Sequence, residues 1–398
     1  VTAIDVSADA ARRALGASDE PDDVLIDRFA RAAWSHLIEP GDGVAGRLIA
    51  HLGAGEALRR ALADADVDGA LTAQEYRDGR RRWLPRADAA DVAHALMVAR
   101  RHDIALLTPR DASWPSLLDD LGPHAPVCLW VRGDVTRIAP ARAVAIVGAR
   151  AASGYGEHVA QEMSADLAGS GVTVVSGAAY GIDAAAHRAA LACDGPTVAV
   201  LAGGADRAYP AGNTRLIDTI AASGAIVSES PPGASPTKWR FLQRNRIIAA
   251  VSHATVVVEA GWRSGSLNTA SHALAIGRRV GAVPGPVTSA ASAGCHRLLR
   301  TEPVDCITCA DDVREMIGIG GAVPLALPTD GRPPTDDLTR IRDALSARAW
   351  RDRDDIARRS GHAPDDAASL LGILLLGGEV ESSDAGWRLV PRASARSA

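Results

Sequence analysis

In the middle of the chain the apolar positions fall into short runs. Residues 143–147, 172–175, 197–201, 225–227, 255–258 and 280–283 are almost entirely apolar. Between them, residues 156–168, 184–191, 213–222 and 267–276 repeat their apolar side chains at helical spacing. A strand that is apolar throughout is buried on both faces, and strands that alternate with helices form a parallel sheet covered by those helices. The pattern predicts an α/β, doubly wound central domain.

The flanks read differently. Ala, Leu and Arg recur at helical spacing through residues 22–75, most clearly over 23–38 and 43–62, with Gly53-Ala54-Gly55 between them. They predict a small helical N-terminal domain, and Gly53–Gly55 is also where a helix-hairpin-helix DNA module would turn. A further helix is expected over 87–102. Residues 104–107, Trp114-Pro115 and 127–131 read as extended segments and turns leading into the central domain. Residues 318–334 are rich in Pro and Gly and read as a linker. Beyond them, three helical segments (338–345, 354–359 and 365–376) precede two strands (379–382 and 387–390) around Asp384-Ala385-Gly386, a winged-helix-like layout. The expected boundaries are 1–85, 86–317, 318–334 and 335–398. There is no internal repeat.

Composition excludes several classes. Hydrophobic residues make up 47% and charged residues 23% of the 398, the balance of a folded globular protein rather than a disordered one. No apolar run approaches the roughly 18 residues that span a membrane, and residues 1–20 lack a charged-then-apolar leader pattern, so a cytoplasmic protein with no membrane contact is expected. Five cysteines, an odd number, suit reduced thiols. Cys306 and Cys309 form a CxxC near Cys295-His296, but a second CxxC is missing and no metal is expected.

The net charge of −5 argues at first against a nucleic-acid partner. Its distribution changes that. Residues 1–130 carry −6, residues 131–315 carry +2 and residues 316–398 carry −1. Between Glu229 and Glu302 nine bases face one acid, Glu259. Such a local excess is the footprint of an anionic ligand, or else a solvated face shared by unrelated elements. Lys238 is the only lysine in the chain and lies inside this stretch.

Ligands of doubly wound sheets bind beyond the C-terminal ends of the strands, and the unusual clusters fall there. The first strand runs into Gly148-Ala149-Arg150, with Ser153-Gly154-Tyr155-Gly156 following. Small residues let backbone N–H groups approach an anion, and Arg150 can add a bidentate contact. The glycines at 148, 154 and 156 do not form GxGxxG, and no acid ends the second strand, which disfavours a nicotinamide dehydrogenase. That strand ends at Ser176-Gly177, ahead of Asp183 and His187, whose spacing of four permits an acid–base pair or ordinary structural hydrogen bonds. Residues 238–246, Lys-Trp-Arg-Phe-Leu-Gln-Arg-Asn-Arg, combine four positive charges with two aromatic rings. Rings that stack on bases and guanidinium groups that hold phosphates are what single-stranded nucleic acid requires; a solvated helix start with its rings in the core gives the same string. Glu259, then Arg263-Ser264-Gly265-Ser266 at a helix start, complete the set.

In order, these clusters resemble the DprA/Smf family of DNA-processing proteins. Trp114-Pro115-Ser116-Leu117-Leu118 resembles its YPxxL, Arg132-Gly133-Asp134 its RGD, and 146–150 its IVGSR with Ala149 for Ser. Residues 176–183 with His187 resemble SGxAxGID…AH, 244–249 resemble RNRxIA preceded by Phe241, and 264–270 resemble SGSLxTA. Pro284-Gly285 and Gly294-Cys295 match the remaining glycine turns. The resemblance covers at least residues 114–299. It implies an extended Rossmann-like domain that binds single-stranded DNA without cutting it, protects the strand, helps load the RecA recombinase in natural transformation or repair, forms homodimers and uses no cofactor. The expected DNA-binding residues are Gly148, Ala149, Arg150, Ser176, Gly177, Lys238, Phe241, Arg244, Asn245, Arg246, Ser264 and Gly265, lining one basic pocket. The alternative is a nucleotide-processing Rossmann-like enzyme with Glu259 as its carboxylate. Tyr180, where many members carry Arg, and His296, where Asn is usual, are departures.

Overall fold

A computed structural model describes residues 3–16, 20–65, 67, 69, 71–319 and 336–390. The chain divides into two compact units, residues 1–322 and 323–398. Apart from Gly318 and Ile319, the expected linker lies outside the described residues.

The first unit opens with six helices: α1 (Ala8–Leu15), α2 (Asp22–Leu37), α3 (Gly43–Leu52), α4 (Ala54–Ala63), α5 (Ala73–Trp83) and α6 (Ala89–Arg101). The strands are β1 (Ile104–Leu107), β2 (Leu129–Gly133), β3 (Ala143–Gly148), β4 (Thr173–Ser176), β5 (Thr197–Leu201), β6 (Ala225–Ser228), β7 (Ala254–Glu259), β8 (Arg279–Ala282) and β9 (Asp305–Cys306). Among them lie α7 (Gly154–Gly169), α8 (Ile182–Ala192), α9 (Thr214–Ser223), α10 (Lys238–Ala250), α11 (Ser266–Ala275), α12 (Ala293–Thr301) and α13 (Ala310–Met316). All nine strands form one sheet, ordered β1-β2-β6-β5-β4-β3-β7-β8-β9. From β6 to β9 the neighbours are parallel, while β1–β2 and β2–β6 are antiparallel.

Alternation on the central strands explains why they read as apolar throughout. Val144 and Ile146 of β3 pack with Ala160, Met163 and Leu167 of α7, on the same face as Val174, Val256 and Val258. Ala145 and Val147 face the other way, onto Ile247, Ile248 and Ala250 of α10 and Ala270 of α11. Both faces are dry, as the parallel pattern requires.

Two elements differ from the sequence expectation. Residues 104–107 and 129–133 are not a lead-in but the antiparallel edge of the same sheet, because periodicity marks a strand without naming its partner. Helix α5 has few apolar residues to announce it; a capping box between Thr72 and Glu75 starts it, and buried Tyr76 and Trp83 anchor it. Trp83 meets Trp34 edge-on at 5.1 Å and donates to Asp42 at 2.9 Å. The helices before β1 share one core with Trp130 of β2, Ile226 of β6 and Ile217 and Ile220 of α9. At the α3 face a Cβ on Gly46 would fall 1.9 Å from the Pro123 carbonyl, so that helix is fitted against residues 116–124.

The second unit holds α14 (Asp337–Ala344), α15 (Arg353–Ser360), α16 (Pro364–Leu376) and the hairpin β10 (Val380–Ser383) with β11 (Gly386–Leu389). Ile341, Ile356, Leu371, Leu374 and Val380 make its core, and an antiparallel bridge joins Arg351 to Trp387. Three helices and a hairpin give the winged-helix-like layout.

Candidate functional site

Strand order changes direction at β3. The chain builds β4, β5 and β6 to one side of it, then returns through α10 to place β7, β8 and β9 on the other. The crevice at such a switch point is where doubly wound sheets hold ligands. A cavity of about 820 Å³ lies there. Its walls are Val147 to Ala151 at the end of β3, Lys238, Phe241, Leu242, Arg244 and Asn245 of α10, and Gly261 to Ser266 after β7. Tyr209 enters from the loop after β5 and Asp183 from the start of α8.

Helix α10 is what brings the basic stretch to the cavity. Thr237 caps it by accepting from Arg240 N, and its second half, Ile247 to Ala250, is buried in the core beneath the sheet. That leaves the first half at the sheet edge with Lys238 and Trp239 in solvent. Arg150, exposed, lies over the Phe241 ring with its guanidinium carbon 4.9 Å from the centroid. Tyr209 packs against the same ring at 5.5 Å. Asn245 ties α10 to the next wall through Gly265 O at 3.3 Å and Asn268 Oδ1 at 3.2 Å.

Arg244 sits deeper. It donates to Gly177 O at 2.8 Å and Val200 O at 2.5 Å. Burial draws its pKa down to about 10, against the pull of Asp183 and with the push of Arg150, so it remains a cation at neutral pH. Asp183 accepts from Gly177 N at 3.1 Å and Ala179 N at 3.4 Å; burial raises its pKa and Arg244 opposes the rise. Arg150, Lys238, Arg244 and Arg263 therefore face a single buried carboxylate in the cavity wall. Among the described residues no acid pairs with Arg150, Lys238 or Arg263.

Most of the expected site residues converge. Gly148, Ala149, Arg150, Lys238, Phe241, Arg244, Asn245, Ser264 and Gly265 line the one cavity. Gly177 stands directly behind it, where a Cβ would fall 2.3 Å from Arg244 Nη1. Two residues lie elsewhere. Ser176 is buried and donates to Ile146 O at 2.6 Å, joining β4 to β3. Arg246 points from the opposite face of α10 and pairs with Glu229 at 2.6 Å, because five residues along a helix turn a side chain far from Phe241.

The other residues singled out in the sequence are held in structural hydrogen bonds, the second of the two readings their spacing left open for Asp183 and His187. Asp183 and His187 do not pair; His187 Nδ1 bonds Thr197 Oγ1 at 2.7 Å, and burial brings its pKa down to about 3. Glu259 pairs with no Arg: it accepts from Ser153 N at 2.8 Å and Ser153 Oγ at 2.6 Å, outside the cavity lining. Tyr180 also lies outside the lining, its hydroxyl accepting from Gly212 N at 3.2 Å. His296 bonds Gly285 O at 3.0 Å through Nε2. Among the described residues, no three His, Cys, Asp or Glu side chains converge on a metal position.

Tyr209, Trp262 and Arg263 line the cavity but were not expected site residues. Each follows the C-terminal end of a parallel strand; Arg263 belonged to a cluster located by that rule, and Trp262 is the residue before it. Gly181 explains how the wall closes: its φ is +74°, and a Cβ there would meet Ala149 O at 2.3 Å.

Comparison with known proteins matches residues 105–318 to the family model for DNA recombination-mediator protein A. The chain is 44% identical over 385 residues to a Mycobacterium tuberculosis protein assigned as a DNA processing protein DprA, covering 92% of this chain and 96% of that one. It is 38% identical over 262 residues to the DNA processing protein DprA of Streptococcus pneumoniae, covering 61% of this chain and 90% of the relative. The crystal structure of the Streptococcus pneumoniae protein aligns with a TM-score of 0.59 at 30% identity, over 75% of this chain and 98% of that one.

Proposed function

From the premise that the chain belongs to the DNA recombination-mediator protein A (DprA/Smf) family, we propose that it binds single-stranded DNA in the cavity at the β3 switch point and acts there without catalysis. The observation that carries this reading is the pairing, in one cavity, of four cationic side chains with the Phe241 and Tyr209 rings, which meet at 5.5 Å with a tilt of 51°. Phosphates sit on Arg150, Lys238 and the backbone N–H groups of Arg150 and Gly265, since those of Ala149 and Ser264 donate to Glu259 O and Gly261 O. Bases stack on Phe241 and Tyr209. None of these contacts reads a base edge, so binding is indifferent to sequence. Gly177 and Arg244 shape the floor beneath the strand, and Arg246 holds α10 in place from behind.

Two carboxylates could have suggested chemistry. Glu259 is held by Ser153, and Asp183 by two backbone N–H groups. The Glu259–Ser153 pair lies outside the cavity lining and Asp183 is taken up by backbone N–H groups, which favours holding a strand over cutting one. The biological role that follows is protection of single strands and delivery of RecA onto them, in natural transformation or repair, by a homodimer in the cytoplasm.

Fluorescence anisotropy of labelled oligo-dT across a salt series tests the binding. Each phosphate contact contributes roughly −0.7 to the slope of log K against log salt for single strands. Arg150→Ala is expected to weaken binding and flatten the slope by about that amount. Unchanged affinity and slope would remove Arg150 from the site. Incubation with nucleotides followed by chromatography addresses catalysis: released base or phosphate would assign an enzyme. Faster RecA assembly on protein-coated single strands is the expected result for the partner.

A further inference from the structure

We propose that Trp262 is a second base-stacking platform, separate from the Phe241–Tyr209 pair, so that the bound strand crosses the switch point from one aromatic station to another. The inference rests on the reading of the cavity as a single-strand site. Trp262 follows β7 and lines the cavity, yet the residue is 55% exposed. A tryptophan carries a large apolar surface, and here more than half of the residue remains in water. Arg297 of α12 lies over its ring at 5.0 Å from the centroid. Arg297 is not part of the cavity wall whereas Trp262 is, and the ring keeps its exposure with the guanidinium over it. Arg263, exposed and next in sequence, has no acidic partner among the described residues. An exposed ring, a cation over it and a cation beside it are the parts of a stacking-and-phosphate station.

Its position makes it a distinct station. Tyr209 follows β5 and Trp262 follows β7, and β4 and β3 lie between them in the sheet. Three strand spacings are about 14 Å. Among the described residues Trp262 is in ring contact with neither Tyr209 nor Phe241.

The test uses the full chain and labelled oligo-dT of graded length. Trp262→Ala is expected to lose about ten-fold in affinity for oligomers long enough to reach both stations, while the shortest bound oligomers are unaffected. Trp262→Phe keeps most of the affinity, and circular dichroism confirms that each variant is folded. Because Trp262 carries no charge, its loss leaves the salt slope as in the wild type. If Trp262→Ala binds every length as tightly as wild type while Phe241→Ala is weakened, the second platform is refuted and the cavity reading survives. If the wild type binds no oligo-dT at all, the cavity reading itself fails and takes the platform with it.

Discussion

At the scale of single residues, Gly177 shows how a glycine serves a site without touching its ligand. From the sequence, Ser176-Gly177 looks like a place where backbone could approach a phosphate. The structure gives it a different task. A Cβ at 177 would lie 2.3 Å from Arg244 Nη1 and 2.5 Å from its Cζ. That guanidinium cannot swing away cheaply, because the Gly177 and Val200 carbonyls both hold it. Gly177→Ala is therefore expected to push Arg244 off its seat, costing about 1–3 kcal/mol of stability as overpacked cores do. Affinity for oligo-dT should fall with it. Urea unfolding and anisotropy on the same preparation check both effects. Gly154→Ala is the control, since nothing lies within 4 Å of its built Cβ; its stability should stay within about 0.5 kcal/mol of wild type.

At the scale of elements, α10 has two working faces. Phe241, Arg244 and Asn245 face the cavity, while Arg240 and Arg246 hold the helix from behind. Arg240 and Arg86 share Glu39, and Arg246 meets Glu229, whose carboxylate also accepts from Gly41 N. Arg246 and Glu229 side chains are 3% and 7% exposed, so removing one partner leaves a buried charge. Glu229→Leu should destabilise the protein by about 3–5 kcal/mol. The Glu229→Leu/Arg246→Met double variant should recover a large part of that, since Arg246 Nε and Nη1 have no hydrogen-bond partner among the described residues. A double-mutant cycle in urea measures the coupling; a double variant as unstable as the summed singles would show that the pair is not what fixes α10. The same helix shows where charge counting failed. Nine bases against one acid between Glu229 and Glu302 read as the footprint of an anionic ligand or as a solvated face shared by unrelated elements. In the fold Arg240, Arg246, Arg278 and Arg279 pair with Glu39, Glu229, Asp120 and Asp305, none of them inside that stretch. Local charge was legible in the chain; its neutralisation by distant acids was not, because only the tertiary fold brings them together.

At the scale of the whole molecule, the same limit separates what periodicity reveals from what it hides. The parallel strands were legible because each is buried on both faces; their order, and with it the switch point at β3, came only with the fold. The antiparallel edge β1–β2 and the core shared by the early helices and the sheet depend on long-range partners that no local pattern names. One buried and three half-buried histidines are a further product of that packing, and they set a global property. Burial lowers the pKa of His36, His253 and His272, and brings His187 down to about 3 with Arg244 adding to the effect. In the unfolded chain these groups titrate near 6.5. Between that value and the lower folded ones, the unfolded chain binds more protons, so stability falls as pH drops below about 6.5. Glu39 and Asp111, held low by arginines against burial, contribute stability that is lost further down, as pH falls below the ordinary carboxylate range. Asp183 works the other way: its raised pKa makes its ionised form a cost, relieved on acidification. The histidine limb should thus appear first. Melting temperatures measured from pH 8 to pH 4.5 should begin to fall near pH 6.5, ahead of any carboxylate. His187→Gln keeps a polar side chain beside Thr197 and removes the titration. Its curve should be flatter than that of the wild type over the same range, even if it starts lower; two parallel curves would show that His187 does not drive the acid limb.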